Sequence, residues 1–207
     1  MDLNFDIITD GLKKSWDVFV ANVVAYIVGL LIMIIGTFFI ITSAPAIYGF
    51  AYMAIKGSRG EKVEIGDALI GFKSISMFIR SWMFFIIPFV IFFAILILYI
   101  LISIIFSSGF ISAILGLIMF LVYVVLAIVF IPIVLYGMYI YIMTPSENAI
   151  YAYKESVNIF KANIVMTIVA IIVVWLLGII PIIGGILGML FTIYILKTLK
   201  PDLRDNA

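Results

Sequence analysis

The chain has 207 residues, of which 67% are hydrophobic and only 11% charged, with a formal net charge of +1. A soluble domain carries about a quarter charged residues, so there is too little polar surface here to clothe a water-soluble globule, and the near-neutral balance speaks against a nucleic-acid partner. With no cysteine and no histidine, disulfides, thiol chemistry and the commonest metal ligands drop out, and neither a metal nor a cofactor is expected.

Residues 18–55, 81–146 and 162–196 contain no charged side chain. Each stretch is far longer than the roughly 20 residues a helix needs to cross a bilayer. None alternates with period two, which disfavours a transmembrane β-barrel. The expected fold is all-α: an integral membrane bundle of six transmembrane helices, drawn at 19–36, 37–56, 82–106, 110–142, 162–178 and 183–199. They form three hairpins, each led in by an interfacial amphipathic helix.

In chain order, the opening "MDLNFDIITD" is acidic and lacks the basic n-region of a signal peptide. Ile8, Leu12, Trp16 and Phe19 then form an apolar stripe, with Asp10–Lys14 and Lys13–Asp17 as i, i+4 pairs on the wet side. Such a helix lies in the membrane interface. The first hairpin turns at "IGT" (35–37). The polar loop "GSRGEKVEIGD" (57–67) follows, and Asp67 is expected to cap a second, weaker amphipathic segment, "GFKSISMFIRSW" (71–82). Arg59, Lys62, Lys73 and Arg80 are candidates for anionic-lipid contact at about 1 kcal/mol per basic group. Glu61, Glu64 and Asp67 dilute that attraction, and a solvated turn is the competing reading.

The second hairpin turns at "SSG" (107–109). Its return helix is too long for one straight crossing at about 1.5 Å per residue, and Pro132 and Gly137 are its candidate kinks. In "TPSE" (144–147), Thr144 is placed as an N-cap, Pro145 in the first turn and Glu147 as capping-box partner. The helix it opens sets Ile150, Tyr153, Val157, Phe160 and Ile164 against Lys154, Asn158 and Lys161. The last hairpin turns at "GIIPIIGG" (178–185).

"KKSWDVFVAN" (13–22) and "KESVNIFKAN" (154–163) share Lys, Ser, Phe, Ala and Asn at matching places, offset by 141 residues, and Lys56 and Lys197 keep that offset. With Lys73 under Lys154 and Arg80 under Lys161, a third copy lies between them. The chain reads as one domain, 1–207, of internal repeats at about 4–56, 67–142 and 145–199. The repeated decapeptide marks where the chain leaves the interface and enters the bilayer.

With six crossings, every Lys and Arg falls on one side, and so does every acid. The positive-inside rule then puts both termini and both charged loops in the cytoplasm, at the cell membrane. Tyr48, Tyr52, Tyr136, Tyr139, Tyr141 and Tyr194 gather towards that side, as an interfacial aromatic belt would.

No ionisable residue lies deep in the membrane, which weakens proton-coupled transport and voltage sensing. The buried polar set is Asn22, Asn163, Thr37, Thr42, Ser103, Thr167 and Thr192. Asn22 and Asn163, equivalent in the repeat, could hold a headgroup or bond between helices. Small residues at four-residue spacing (Ala21, Ala25 and Gly29; Ser108, Ser112 and Gly116; Gly184 and Gly188) permit close helix approach within one chain or between copies. No nucleophile motif or phosphate loop is present, so no catalytic residue is assigned and the protein is read as no enzyme. Two functions stay open. One is a membrane component that binds lipid, a partner protein or a second copy at the cytoplasmic rim. The other is a carrier or channel for a lipid-like or apolar solute, which Gly184, Gly185 and Gly188 beside Pro181 would serve by breaking the last helix.

The run "PAIYGFAYMAIKGSRGEKVEIGDALIGFK" (45–73), with Gly49, Arg59-Gly60-Glu61, Gly66-Asp67 and Gly71-Phe72, resembles a segment of the uncharacterised YciC-like membrane protein families. These are similar in turn to the membrane domain of some glycerophosphodiester phosphodiesterases. The resemblance implies a polytopic membrane fold and carries over no catalytic residue.

Overall fold

The computed structural model describes residues 5–105 and 110–204, and every regular element among them is helical. Eight α-helices run in chain order: α1 (Phe5–Ala21), α2 (Val23–Thr37), α3 (Ile40–Ser58), α4 (Ile75–Ile105), α5 (Phe110–Met143), α6 (Ala149–Ala162), α7 (Ile164–Leu177) and α8 (Ile183–Leu199). Two 3-10 helices, Ile65–Phe72 and Pro201–Arg204, complete the set. The "SSG" turn and Ser108 lie outside the described residues.

Two helices are long and apolar enough to cross a membrane, within Ile75–Ile102 and Gly116–Met143. The number rises to four if the bent pairs α1–α2 and α6–α7 each count as one span. The pairs bend by 92° and 102°, at Asn22 and Asn163. α8 is shorter, at 17 residues.

Three inner helices, α3, α5 and α8, touch one another; α2 lies on α3 and α7 on α8, while α4 touches both α3 and α5. One packing step then occurs three times. The 3-10 helix leading into α4 lies on α3; α6, leading into α7, lies on α5; and α1, leading into α2, closes the ring on α8. Close approach depends on glycine: a Cβ at Gly49 would run into the Ala68 carbonyl, and one at Gly184 into the Leu177 carbonyl. Gly29 and Gly188 likewise face Met53 and Val174 inside the chain.

The core sits where the inner helices meet the lead-in elements. Tyr26, Phe50, Met53, Phe84, Tyr136, Tyr139, Tyr141 and Phe191 are its largest members. Tyr48, Tyr136, Tyr139 and Tyr141 are therefore enclosed by protein and form no outward-facing girdle. The long apolar stretches of α4 and α5 are for the most part not buried in the protein. The most apolar stretch of α4 has no residue buried in the protein. α4 is 31 residues and α5 is 34, about 46 and 51 Å. α2 and α7 have 15 and 14 residues and reach only about 22 Å.

Two interior prolines, Pro45 and Pro88, are reconciled by tertiary hydrogen bonds. A proline removes the N–H that would bond the carbonyl four residues back. Pro45 frees the Ile41 carbonyl, and Trp82 Nε1–H of α4 donates to it at 2.9 Å. Pro88 frees the Phe84 carbonyl, and the Tyr153 hydroxyl of α6 donates to it at 3.1 Å. The Tyr153 ring also stacks on Phe84, with centroids 4.7 Å apart.

Several local expectations are corrected. Segment 71–82 forms no separate amphipathic helix: the 3-10 helix ends at Phe72, and α4 runs from Ile75 through Trp82 without a corner. Asp67 is the third residue of the 3-10 helix, and its carboxylate accepts the N–H of the N-cap, Glu64, at 2.8 Å. Thr144 caps nothing, because its hydroxyl donates back to the Ile140 carbonyl at 2.6 Å and so finishes α5. The cap of α6 is Asn148, which accepts from the Tyr151 N–H. The faces of the two amphipathic helices are also rotated. α1 buries Ile8, Gly11, Ser15 and Phe19 and leaves Trp16 exposed, while α6 buries Ala149, Ala152, Ser156, Ile159 and Phe160 and exposes Ile150. Small residues reach the protein-facing side because α1 and α6 lie close on α8 and α5, while Trp16 and Ile150 face outward.

Candidate functional site

Asn22 and Asn163 occupy the two corners with nearly the same backbone, φ −135°, ψ 29° and φ −137°, ψ 41°. Each side-chain amide donates to the carbonyl four residues back, Asn22 to Val18 and Asn163 to Ile159, both at 3.1 Å. That bond ties down a carbonyl stranded by the end of the helix. Asn22 does more: its Oδ1 accepts the Val63 N–H at 3.1 Å, which anchors the polar loop to the first corner. Thr167 is buried in the core.

The four basic candidates are not brought together. Arg80 is consumed by structure: its guanidinium donates to the carbonyls of Tyr141 (2.8 Å), Pro145 (2.9 Å) and Thr144 (3.4 Å) and lies 4.2 Å from the Tyr141 ring centroid. It thereby caps the C-terminal end of α5. Lys62 is exposed and lies 3.8 Å from Glu64. Lys73 is exposed after the 3-10 helix.

Arg59 alone of the four faces a cationic pocket. Lys14 from α1, Ser58 and Arg59 from the end of α3, and Tyr194 and Lys197 from α8 line it. The pocket deepens into a cavity of about 210 Å³ with Val18, Gly57 and Leu190 on its walls and Ser15, Asp17 and Gly60 beside them. Lys197 Nζ donates to Ser58 Oγ at 2.8 Å, which joins α8 to α3. Lys14 Nζ sits 4.9 Å from the Tyr194 ring centroid, within cation–π reach. Arg59 lies 3.9 Å from the half-exposed Glu61, a separation that contributes little in water.

The 141-residue offset puts Glu155 at the position of Lys14, and Lys200 at that of Arg59. Glu155 and Lys200 are hydrogen-bonded as an ion pair. The second corner thus closes with an ion pair at the two positions where the first sets Lys14 and Arg59, the latter facing Glu61 instead. Lys56, at the offset position of Lys197, is held bidentately by Asp67 at 2.9 and 3.0 Å.

Lys14, Ser58 and Lys197 escaped the sequence reading. Their signal was present, in the break of the repeat at 14/155, but only the α1–α8 contact shows that these residues share a pocket. Among the described residues, no group of three or more His, Cys, Asp or Glu could hold a metal ion. No family model matches the chain, and neither does any curated protein or solved structure.

Proposed function

We propose that this protein is a non-enzymatic integral component of the cytoplasmic membrane that binds lipid at its cytoplasmic rim. Its six apolar helices form three membrane hairpins of an internally repeated unit, all opening to the cytoplasm, with both termini on that side. Membership of the YciC-like membrane families belongs to the same proposal and rests on residues 45–73.

The observation that carries the reading is the cationic pocket between α1, α3 and α8. It sets polar and apolar side chains side by side where one lead-in helix, α1, meets two inner helices, α3 and α8. A lipid offers that combination of groups, a charged head on an apolar stem. The distribution of charge supports the orientation: α2, α5 and α7 contain no charged residue, and α4 none past Arg80. The carrier reading has weaker support. The space between α5, α7 and α8, walled by Tyr136, Trp175 and Thr192, is a cavity of only about 30 Å³, room for about one water.

Native mass spectrometry of the protein released from its own membrane tests the proposal. One or two retained lipids per chain are expected; a chain that always emerges bare would overturn it. Single cysteines at Ser58 and Ser108 should label from opposite sides, and labelling of both from one side would sink the hairpin topology.

A further inference from the structure

We infer, resting on the hairpin topology proposed above, that only the middle hairpin, α4 with α5, passes through the membrane to the far side. The α2–α3 and α7–α8 hairpins enter from the cytoplasmic side and end among lipid acyl chains.

The first ground is length. The hydrocarbon core of a bilayer is about 30 Å thick. α4 and α5, at about 46 and 51 Å, exceed it, whereas α2 and α7, at about 21–22 Å, fall short. The chain bends by 92° and 102° where α1 meets α2 and α6 meets α7, so the preceding helices do not extend that reach. The second ground is what the turns are made of. Between α4 and α5 the sequence is Ser107-Ser108-Gly109, the composition of a turn in water. Around the α2–α3 turn stand Phe38, Phe39, Ile40 and Ile41, each at least two-thirds exposed. Around the α7–α8 turn Ile179, Ile180 and Ile182 are exposed beside Pro181. The exposure continues along the outer helices, at Leu31 and Ile35 of α2 and at Ile172 and Leu176 of α7. Each short hairpin therefore needs an apolar surround along its flank as well as over its end, which acyl chains supply.

The third ground is where the polar groups go. Hydrocarbon offers them no partner, so they must bond within the chain. Thr37 Oγ1 donates to the Ile34 carbonyl at 2.7 Å, Thr42 Oγ1 to that of Gly36 at 2.6 Å and Ser43 Oγ to that of Ile40 at 2.7 Å. At the other turn Ile182 takes φ 65°, ψ −63°, a strained conformation for a β-branched residue. The Ile183 N–H thereby reaches the Pro181 carbonyl at 2.7 Å. In water a solvent molecule would satisfy that N–H without the strain.

The chain has no cysteine, so single cysteines report each turn separately. Phe39→Cys, Ile180→Cys, Ser108→Cys and Ser58→Cys are made in the full chain and treated with a membrane-impermeant maleimide, in intact cells and in inverted vesicles. Ser108→Cys should label from outside and Ser58→Cys from the cytoplasmic side. Phe39→Cys and Ile180→Cys should label at least about tenfold more slowly than these from either side, because a thiol in apolar surroundings is little ionised. Tagged with bimane and reconstituted into phosphatidylcholine vesicles, the same two variants should be quenched more by a nitroxide on the acyl chain than by one on the headgroup. Labelling of either turn from outside at the Ser108→Cys rate would overturn the inference and leave the proposed topology standing. So would labelling from the cytoplasmic side at the Ser58→Cys rate, since the hairpin would then not enter the membrane. Slow labelling without acyl-chain quenching would place protein, such as a second copy, over the turns and would equally overturn it. If Ser108→Cys and Ser58→Cys label from one side, the proposed topology itself fails and the assignment of depths falls with it.

Discussion

The two corners of this protein share a backbone and differ in what they do with charge. At Asn22 and at Asn163 an amphipathic helix gives way to an apolar one through the same amide-to-carbonyl bond. Around the second corner the side chains close the structure on itself. Tyr153 clasps the Phe84 carbonyl and Glu155 pairs with Lys200. At the offset positions of the first corner stand Leu12, Lys14 and Arg59, which make neither of these contacts and line a pocket in part. Corner geometry is a backbone property, and the two corners share it. Charge is a side-chain property that can differ without disturbing it, so one corner closes with an ion pair where the other sets Lys14 and Arg59 beside a pocket.

The largest expected effect separates the corners by stability. Asn22→Ala loses two hydrogen bonds, to Val18 and Val63, and should cost about 2–3 kcal/mol; Asn163→Ala loses one and should cost about 1 kcal/mol. Thermal unfolding in detergent checks the ratio, and equal losses would erase the distinction drawn from Val63.

Tyr153→Phe comes next. It strands the carbonyl that Pro88 releases, at about 1–3 kcal/mol. In a Pro88→Leu background the helix recovers its own bond, so the same change should be nearly silent. A double-mutant cycle with no coupling would show that the hydroxyl has some other role.

Charge swaps give smaller stability changes of opposite sign. Lys14→Glu should stabilise the fold by about 0.2–1 kcal/mol through a new pair with Arg59, and Glu155→Gln should destabilise it by a similar amount. High salt should shrink both. A Lys14→Glu variant that unfolds earlier than the parent would contradict that pairing.

Much of the framework was legible before the structure. Apolar stretches without charge located α2, α3, α5, α7 and α8 to within a few residues, whereas Asn22 and Asn163, read as headgroup or interhelical partners, bond back into their own helices at the corners. Elsewhere local chemistry misled. Thr144 and Glu147 offered a plausible cap, yet the Thr144 hydroxyl took the nearer carbonyl of α5 and left the cap to Asn148. The tyrosines read as a membrane belt because their positions along the helices suit one; which way they face depends on neighbours that sequence position does not reveal.

The sequence by itself determined the class of the molecule, because transfer of charge into hydrocarbon is prohibitive and uncharged stretches of this length have few other places to go. It also determined the corners, since a side-chain amide reaching four residues back is a local event. Tertiary structure alone decided the rest. Trp82 meets the carbonyl freed by Pro45, Arg80 is spent on the end of α5, and Lys14, Arg59 and Lys197 converge because α1 closes the ring on α8. Each of these depends on contact between segments 37 to 183 residues apart in the chain, and no periodicity or spacing rule reaches across such distances.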